Sequence, residues 1–324
     1  DIDDTTLFFI NLWESEQHSN KVNSRNKDLF KQMMEMGIKI SIAGGKSVCR
    51  YSDDNVTILH DVTVSSTAAC NNLTTSAPAP TFVRKVLTVD NGTLTVSGDV
   101  TNNGEIIVGS ANTGTMNITG DLDNNSSITI NAGSLISLTS SSTIYANGSI
   151  SVNSSSSTYG SLVFPGTYTI DGPGYEFEYG RFINGVSDGW DLISSPVSGL
   201  QISSFVQSNS DIATNGTDPV QYAVGTYTNT AVAYSAGNDW VNYTSSSVGS
   251  TQFEDSKGYQ MATTGGSKVE FIGTPHTGTQ SIQISWNEAG NPGENDPSNG
   301  TKWNLVGNPY PSYITVTDFI NGNT

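Results

Sequence analysis

The chain of 324 residues is 35% hydrophobic and only 13% charged, with Gly, Ser, Thr and Asn crowding nearly every segment. This balance suits short strands and turns rather than packed helices. Thirty acidic against thirteen basic residues leave a formal charge of -17, which repels nucleic-acid phosphates and anionic lipid and argues against both as partners. With no apolar run near the ~18 residues a spanning helix requires, membrane insertion is not expected, and a length over ~150 residues per domain suggests two domains.

In chain order, residues 1–37 come first and carry the helical signal. NKDLFKQMMEMG combines helix formers with a terminating glycine at Gly37, which predicts one short helix, read as a cap over the open end of the repeat region that begins at residue 38.

From residue 38 the sequence repeats with a period of 22. LTVSGDVTNNGEIIV at 94–108 matches MNITGDLDNNSSITI at 116–130, and IYANGSISV at 144–152 continues the pattern. Steps of 22 give an apolar column of Ile42, Val64, Val86, Val108, Ile130 and Val152. Others read Ile40, Val62, Arg84, Ile106, Ile128, Ile150; then Met34, Val56, Pro78, Val100, Leu122, Ile144; and Leu94, Met116, Leu138. Alternate residues share a strand face, so each coil offers about three short strands that bury their apolar side only by stacking on identical neighbours. The expectation is an all-β fold: a right-handed parallel β-helix over 38–178 with about six coils of 22 residues. Asn103, Asn125 and Asn147 occupy one turn position and read as a structural hydrogen-bonded ladder. TTSAPAPTFVRK at 74–85 reads as a bulging loop, because proline and inward charge are disfavoured in central strands. Cys49 and Cys70 lie 21 residues apart, nearly one coil, and are expected to form a disulfide.

Beyond about residue 178 the period is lost and aromatics become frequent among short alternating runs, which predicts an antiparallel β-sandwich over 179–324. WDLISSPVSGLQISSFV at 190–206 is echoed by WNLVGNPYPSYITVTDFI at 303–320. Either the two are matching elements of one sandwich or the second opens a further module. The end at FINGNT, directly after a strand-like run, suggests that the natural protein continues.

GWDLISSPVSG (189–199), KGYQM (257–261) and WNLVGNPYPSYI (303–314), downstream of such repeats, resemble secreted and cell-surface, adhesin-like proteins of Bacteroidota, especially flavobacteria. The resemblance implies export by the type IX secretion system and an extracellular or cell-surface location. It says little about chemistry.

Candidate sites are few. His18, His60 and His276 lack ligand-like spacing for zinc, and no serine sits in a nucleophile elbow with an identifiable base. The coils from 86 to 178 contain no Lys, Arg or His, so a lyase or hydrolase groove cannot be assembled there. Asp99 and Asp121 stack one coil apart and must either splay into water or share a cation such as calcium. Glu288, Glu294 and Asp296, in a turn-rich loop, are weaker calcium candidates. Trp240, Tyr243 and Trp286 are candidates for stacking on sugar faces, against the alternative that they fill the sandwich core. The resulting expectation is a non-enzymatic, adhesin-like or structural surface segment without an obligatory cofactor, calcium being the one candidate ion. The alternative is a carbohydrate-binding accessory region of a secreted polysaccharide-degrading protein. The partner in either case is a polysaccharide or cell-surface glycan.

Overall fold

The computed structural model of the chain describes residues 40–42, 55–58, 61–76, 84–170, 176–228, 240–284 and 304–322. The chain divides into two compact units, Asp1–Ile40 and Ser41–Thr324. The helix expected before Gly37, Cys49 of the expected disulfide, Trp286 and the acidic loop with Glu288, Glu294 and Asp296 lie outside the described residues. Cys70 is buried.

Apart from Ile40, the parallel β-solenoid lies in the second unit, and it has three faces. One face stacks β1 (Ile40–Ile42), β3 (Val62–Val64), β6 (Val86–Val89), β9 (Glu105–Val108), β12 (Ser127–Ile130), β15 (Ser149–Val152) and β18 (Phe177–Ile183). The second stacks β2 (Val56–Ile58), β5 (Leu73–Thr75), β8 (Val100–Asn102), β11 (Leu122–Asn124), β14 (Thr143–Ala146) and β17 (Thr167–Ile170). The third stacks β4 (Ala68–Cys70), β7 (Thr93–Val96), β10 (Thr115–Ile118), β13 (Leu135–Leu138) and β16 (Ser161–Val163). Five rungs on the third face make about five complete turns among the described residues, one fewer than the period suggested. Most rungs alternate half-buried and buried positions, and Val89, Val100, Ile106, Val108, Met116, Ile130, Ile144 and Val152 are fully enclosed. No rung covers its own apolar face; each is covered by its neighbours above and below.

The true register departs from a strict 22-residue step where the sequence looked weakest. Val64 pairs with Val89, 25 residues on, and Val89 pairs with Val108 after only 19. The two steps equal two periods, so the sequence column looked unbroken although Val86 is not its member; Val86 lies opposite Glu105 and is half-buried. In the second column Leu87 stands where Arg84 was expected, paired with Val62 and Ile106, and Arg84 is exposed. Leu73 takes the place expected for Pro78, between Val56 and Val100. The inward positions thus stay aliphatic because the 74–85 insertion is offset by a shorter following turn. On the third face Met116 pairs with Ile136, and Leu138 with Ile118, a 20-residue step.

Polar side chains are also stacked. Asn125 Nδ2 donates to Asn103 Oδ1 at 3.1 Å and Asn147 Nδ2 to Asn125 Oδ1 at 3.0 Å, the expected surface ladder. A second, interior ladder escaped sequence reading. Thr75 Oγ1 donates to Asn102 Oδ1 at 2.6 Å, Asn102 Nδ2 donates to Asn124 Oδ1 at 2.7 Å and Ser127 O at 3.0 Å, and Asn124 Nδ2 donates to Ser149 O at 3.1 Å. All three side chains are fully buried, so losing a partner there costs far more than it would at the surface.

The antiparallel module starts from the solenoid's own sheet. β18 pairs in parallel with β15 on one side and antiparallel with β24 (Ser267–Pro275) on the other. Residue 178, near which the composition changes, lies inside this strand. β20 (Val197–Ser198) adds to β24, and a second antiparallel sheet runs β19 (Asp191–Ile193), β23 (Tyr259–Met261), β21 (Gln221–Tyr227), β22 (Trp240–Thr244). Both sheets and helix α1 (Ile202–Ser208) contribute to one core. Phe205 stacks on Phe271 with centroids 4.7 Å apart, while Phe253 meets Phe205 and Tyr259 edge-on at 5.2 and 4.9 Å. These edge-to-face and offset contacts suit the aromatic quadrupole.

The internal echo is structural too. Helix α2 (Val316–Gly322) begins within the end of the second copy, 114 residues after α1 begins within the end of the first. Both copies carry the same turn device: Val197 N–H donates to Ser195 Oγ at 3.3 Å, and Tyr310 N–H to Asn308 Oδ1 at 3.1 Å. The two turns pack together, since a Cβ on Gly307 would lie 2.4 Å from Ser194 Cβ. Ile193 pairs with Tyr259 and Val306 with Lys257, so both copies dock on one chain segment. The echoes are therefore matching elements of one module.

Candidate functional site

On the second solenoid face, Thr101, Asp123 and Tyr145 stack outward on adjacent rungs, with Asp99, Asp121 and Asn147 beside them lining a shallow groove. The structure brings Asp99 and Asp121 together through the backbone. Asp121 N–H donates to Asp99 Oδ1 at 2.9 Å, and Thr143 N–H donates to Asp121 Oδ1 at 2.7 Å. Asp99 N–H in turn donates to Asn72 Oδ1 at 2.7 Å. Each side chain thus uses one oxygen to fix the next rung. Among the described residues no group of three or more His, Cys, Asp or Glu side chains is placed to hold a metal ion. Asp90 has the same kind of role: its Oδ1 accepts from Ser110, Ala111 and Asn112 N–H at 2.7 to 3.1 Å. Slight burial disfavours its charge, but these bonds to the ionised form hold its pKa below the usual carboxylate value.

The aromatic candidates do not form one platform. Trp240 is 38% exposed on the edge strand β22, its ring edge-on to Tyr227 at 5.3 Å. Tyr243, three residues along the same strand, points to the opposite face and packs on the core. Burial, reinforced by the nearby Glu254 charge, raises its pKa.

A better formed cleft lies where the last solenoid turn, β18, β19 and the 304–314 segment meet. Tyr159, Tyr179, Arg181, Leu192, Asn308 and Tyr313 are among its lining residues. Tyr179 and Arg181, two apart on β18, share the face that also carries Phe177. The wall is tied to the solenoid by Leu162 N–H donating to Pro311 O at 2.8 Å, and braced within its own segment by Asn308 Nδ2 donating to Ser312 O at 2.6 Å. Tyr310 hydroxyl donates to Gly278 O and accepts from Gln280 N–H at 3.2 Å. The Arg181 guanidinium lies 3.7 Å from the Tyr159 ring centroid. Among the described residues Arg181 has no ion pair and no side-chain hydrogen bond, whereas Lys268 on β24 is bound to Glu270 at 2.8 Å and Glu178 at 3.4 Å. Burial raises the Tyr179 pKa, the Arg181 charge opposes that shift and Tyr159 adds to it, so Tyr179 stays a neutral hydroxyl at physiological pH. Leu192, 58% exposed, and Tyr313, 66% exposed, form the rim.

These residues come from four separate stretches of chain with no common spacing, so no motif announces them. Only Arg181 stood out in sequence, as one of four basic residues after Val86. A further buried group, His276, faces Asp255 Oδ1 across 3.3 Å from Nε2, without hydrogen-bond alignment. Desolvation pulls its pKa down, against the opposing pull of Asp255 and a backbone hydrogen bond with Val197.

Fold and cleft together define a β-solenoid protein whose terminal turn is continued by an aromatic antiparallel module. The chain belongs to the family described as a domain of unknown function, DUF8693, which it matches over residues 85–324. That match takes in the solenoid from the 85–89 rung and the whole antiparallel module. No curated protein and no solved structure matches the chain.

Proposed function

We propose that this chain is a non-enzymatic, adhesin-like or structural segment of an extracellular surface protein. The observation that carries the reading is how the solenoid's polar side chains are used. Asp90, Asp99, Asp121, Asn102, Asn124 and Asn125 each bind the backbone or side chain of another rung. Residues used this way hold a stalk together, whereas catalytic carboxylates need lone pairs aimed at a substrate. The resemblance of GWDLISSPVSG and WNLVGNPYPSYI to exported Bacteroidota surface proteins supports the extracellular setting.

A second reading, carbohydrate binding within a secreted polysaccharide-degrading protein, is favoured by the Tyr-lined cleft whose guanidinium, among the described residues, contacts a ring and no carboxylate. One experiment tests both. The protein is incubated with immobilised plant and algal polysaccharides while retention and new reducing ends are followed. Retention without cleavage supports a glycan-binding surface segment, retention on none leaves the structural stalk alone, and new reducing ends contradict the non-enzymatic reading.

A further inference from the structure

We propose that the cleft between the last solenoid turn and the 304–314 segment binds an isolated uronic acid residue of a glycan, with Arg181 pairing its carboxylate. This rests on the glycan-binding reading above and names the sugar that reading leaves open.

Arg181 is the starting point. Arg181 is half-buried in a cleft that Tyr159, Tyr179 and a mix of apolar and small polar residues line, so it has lost part of its hydration, and among the described residues no acidic partner replaces it. Its contact with Tyr159 returns part of that loss and restricts its orientation. Packing of the guanidinium against a ring leaves its N–H edge free for two parallel bonds to a carboxylate. Lys268 provides the contrast: the cation on the neighbouring strand is bound to two glutamates, and the one in the cleft is bound to a ring alone.

The rest of the cleft sets what carries the carboxylate. Tyr313 is 66% exposed at the rim, and an exposed ring there can pack on the apolar side of a pyranose. The Tyr310 hydroxyl is already committed to Gly278 and Gln280, which keeps that wall in place without a ligand. Overall charge then selects among uronates. A chain with a formal charge of -17 repels a polyanion carrying a carboxylate on every sugar. One carboxylate on an otherwise neutral glycan meets little of that repulsion and gains the whole Arg181 pair.

The test uses the full chain and amide-resolved NMR titration with glucuronic acid, glucose, glucuronamide and benzoate. Glucuronic acid should shift the Tyr159, Tyr179 and Arg181 resonances and bind at least about tenfold more tightly than glucose or glucuronamide, the factor expected of one charge-assisted pair. Arg181→Gln should lose about the same factor, and Arg181→Lys should recover only part of it because a point charge replaces a fork. An unchanged amide spectrum away from the cleft shows that both variants fold. Equal binding of glucuronamide, an unaffected Arg181→Gln, or shifts confined to another surface overturns the proposal. Benzoate binding as tightly as glucuronic acid overturns the assignment to a sugar. Retention of Arg181→Gln on polysaccharide at the wild-type level removes the cleft but not the glycan-binding reading; no retention of the wild-type chain removes that reading.

Discussion

In the solenoid, Val62, Leu87, Ile106, Ile128 and Ile150 form one aliphatic column in which each residue lies against the next, closed at its end by Phe177. In the antiparallel module, Phe205, Phe253 and Phe271 pack on one another, Tyr259 joins them through Phe253, and none has a repeated equivalent. The two regions share β18, yet they distribute stability differently. A column spreads burial over many near-equivalent contacts, as in other stacked repeats. An aromatic cluster concentrates it.

The sharpest way to break this contrast is Phe271→Ala. It removes the ring packed against both Phe205 and Phe253, and a cost of about 4 kcal/mol is expected, read as a lowered urea midpoint. Next comes the buried ladder. Asn102→Ala strips partners from Thr75, Asn124 and Ser127 at once, and a loss of about 3 kcal/mol is expected from buried polar groups left unpaired. Such a loss would show that the solenoid also has irreplaceable positions, and that they are polar.

A smaller effect is expected from pH. His276 has its pKa lowered in the folded chain, so below the ordinary value the unfolded chain binds more protons than the folded one. The contribution is present in full above about pH 6.5 and is lost as pH falls through the folded pKa. Urea midpoints should therefore fall between pH 7.5 and 5, and His276→Gln should flatten that slope, whereas Asp90, its pKa lowered from an already acidic ordinary value, contributes a fall only below about pH 5 that the substitution leaves in place. The least effect is expected at the surface ladder: Asn125→Ala should cost no more than about 0.5 kcal/mol, because water replaces both partners. A loss comparable to that of Asn102→Ala would erase the distinction between inner and outer ladders.

The same contrast explains what was legible in the sequence. The period survived because the insertion around Pro78 and Arg84 was offset by a short following turn, which left Ile106, Ile128 and Ile150 in step. Residues inside the offset were misplaced for the same reason: Val86, Arg84 and Pro78 filled slots that belong to Val89, Leu87 and Leu73. The surface ladder was visible because Asn recurs three times. The buried one changes identity from Thr75 to Asn102 and Asn124 and then to Ala146, so only the paired asparagines at 102–103 and 124–125 hinted at it. The sandwich was legible from aromatic density and the echo from its tryptophans and prolines. The Arg181 cleft was not, because it exists only once residues from about 159, 181, 192 and 308 have been folded together.

Solenoid and module form one continuous structure through β18, and ladder side chains are committed to holding it. Native-state hydrogen exchange resolved along β15, β18 and β24 tests this most directly. Amides of the three strands should open together, with comparable protection on both sides of β18. Exchange of β24 well before β15, with β18 protected only toward the solenoid, would contradict it and make the module a separate body resting on the end of a stalk.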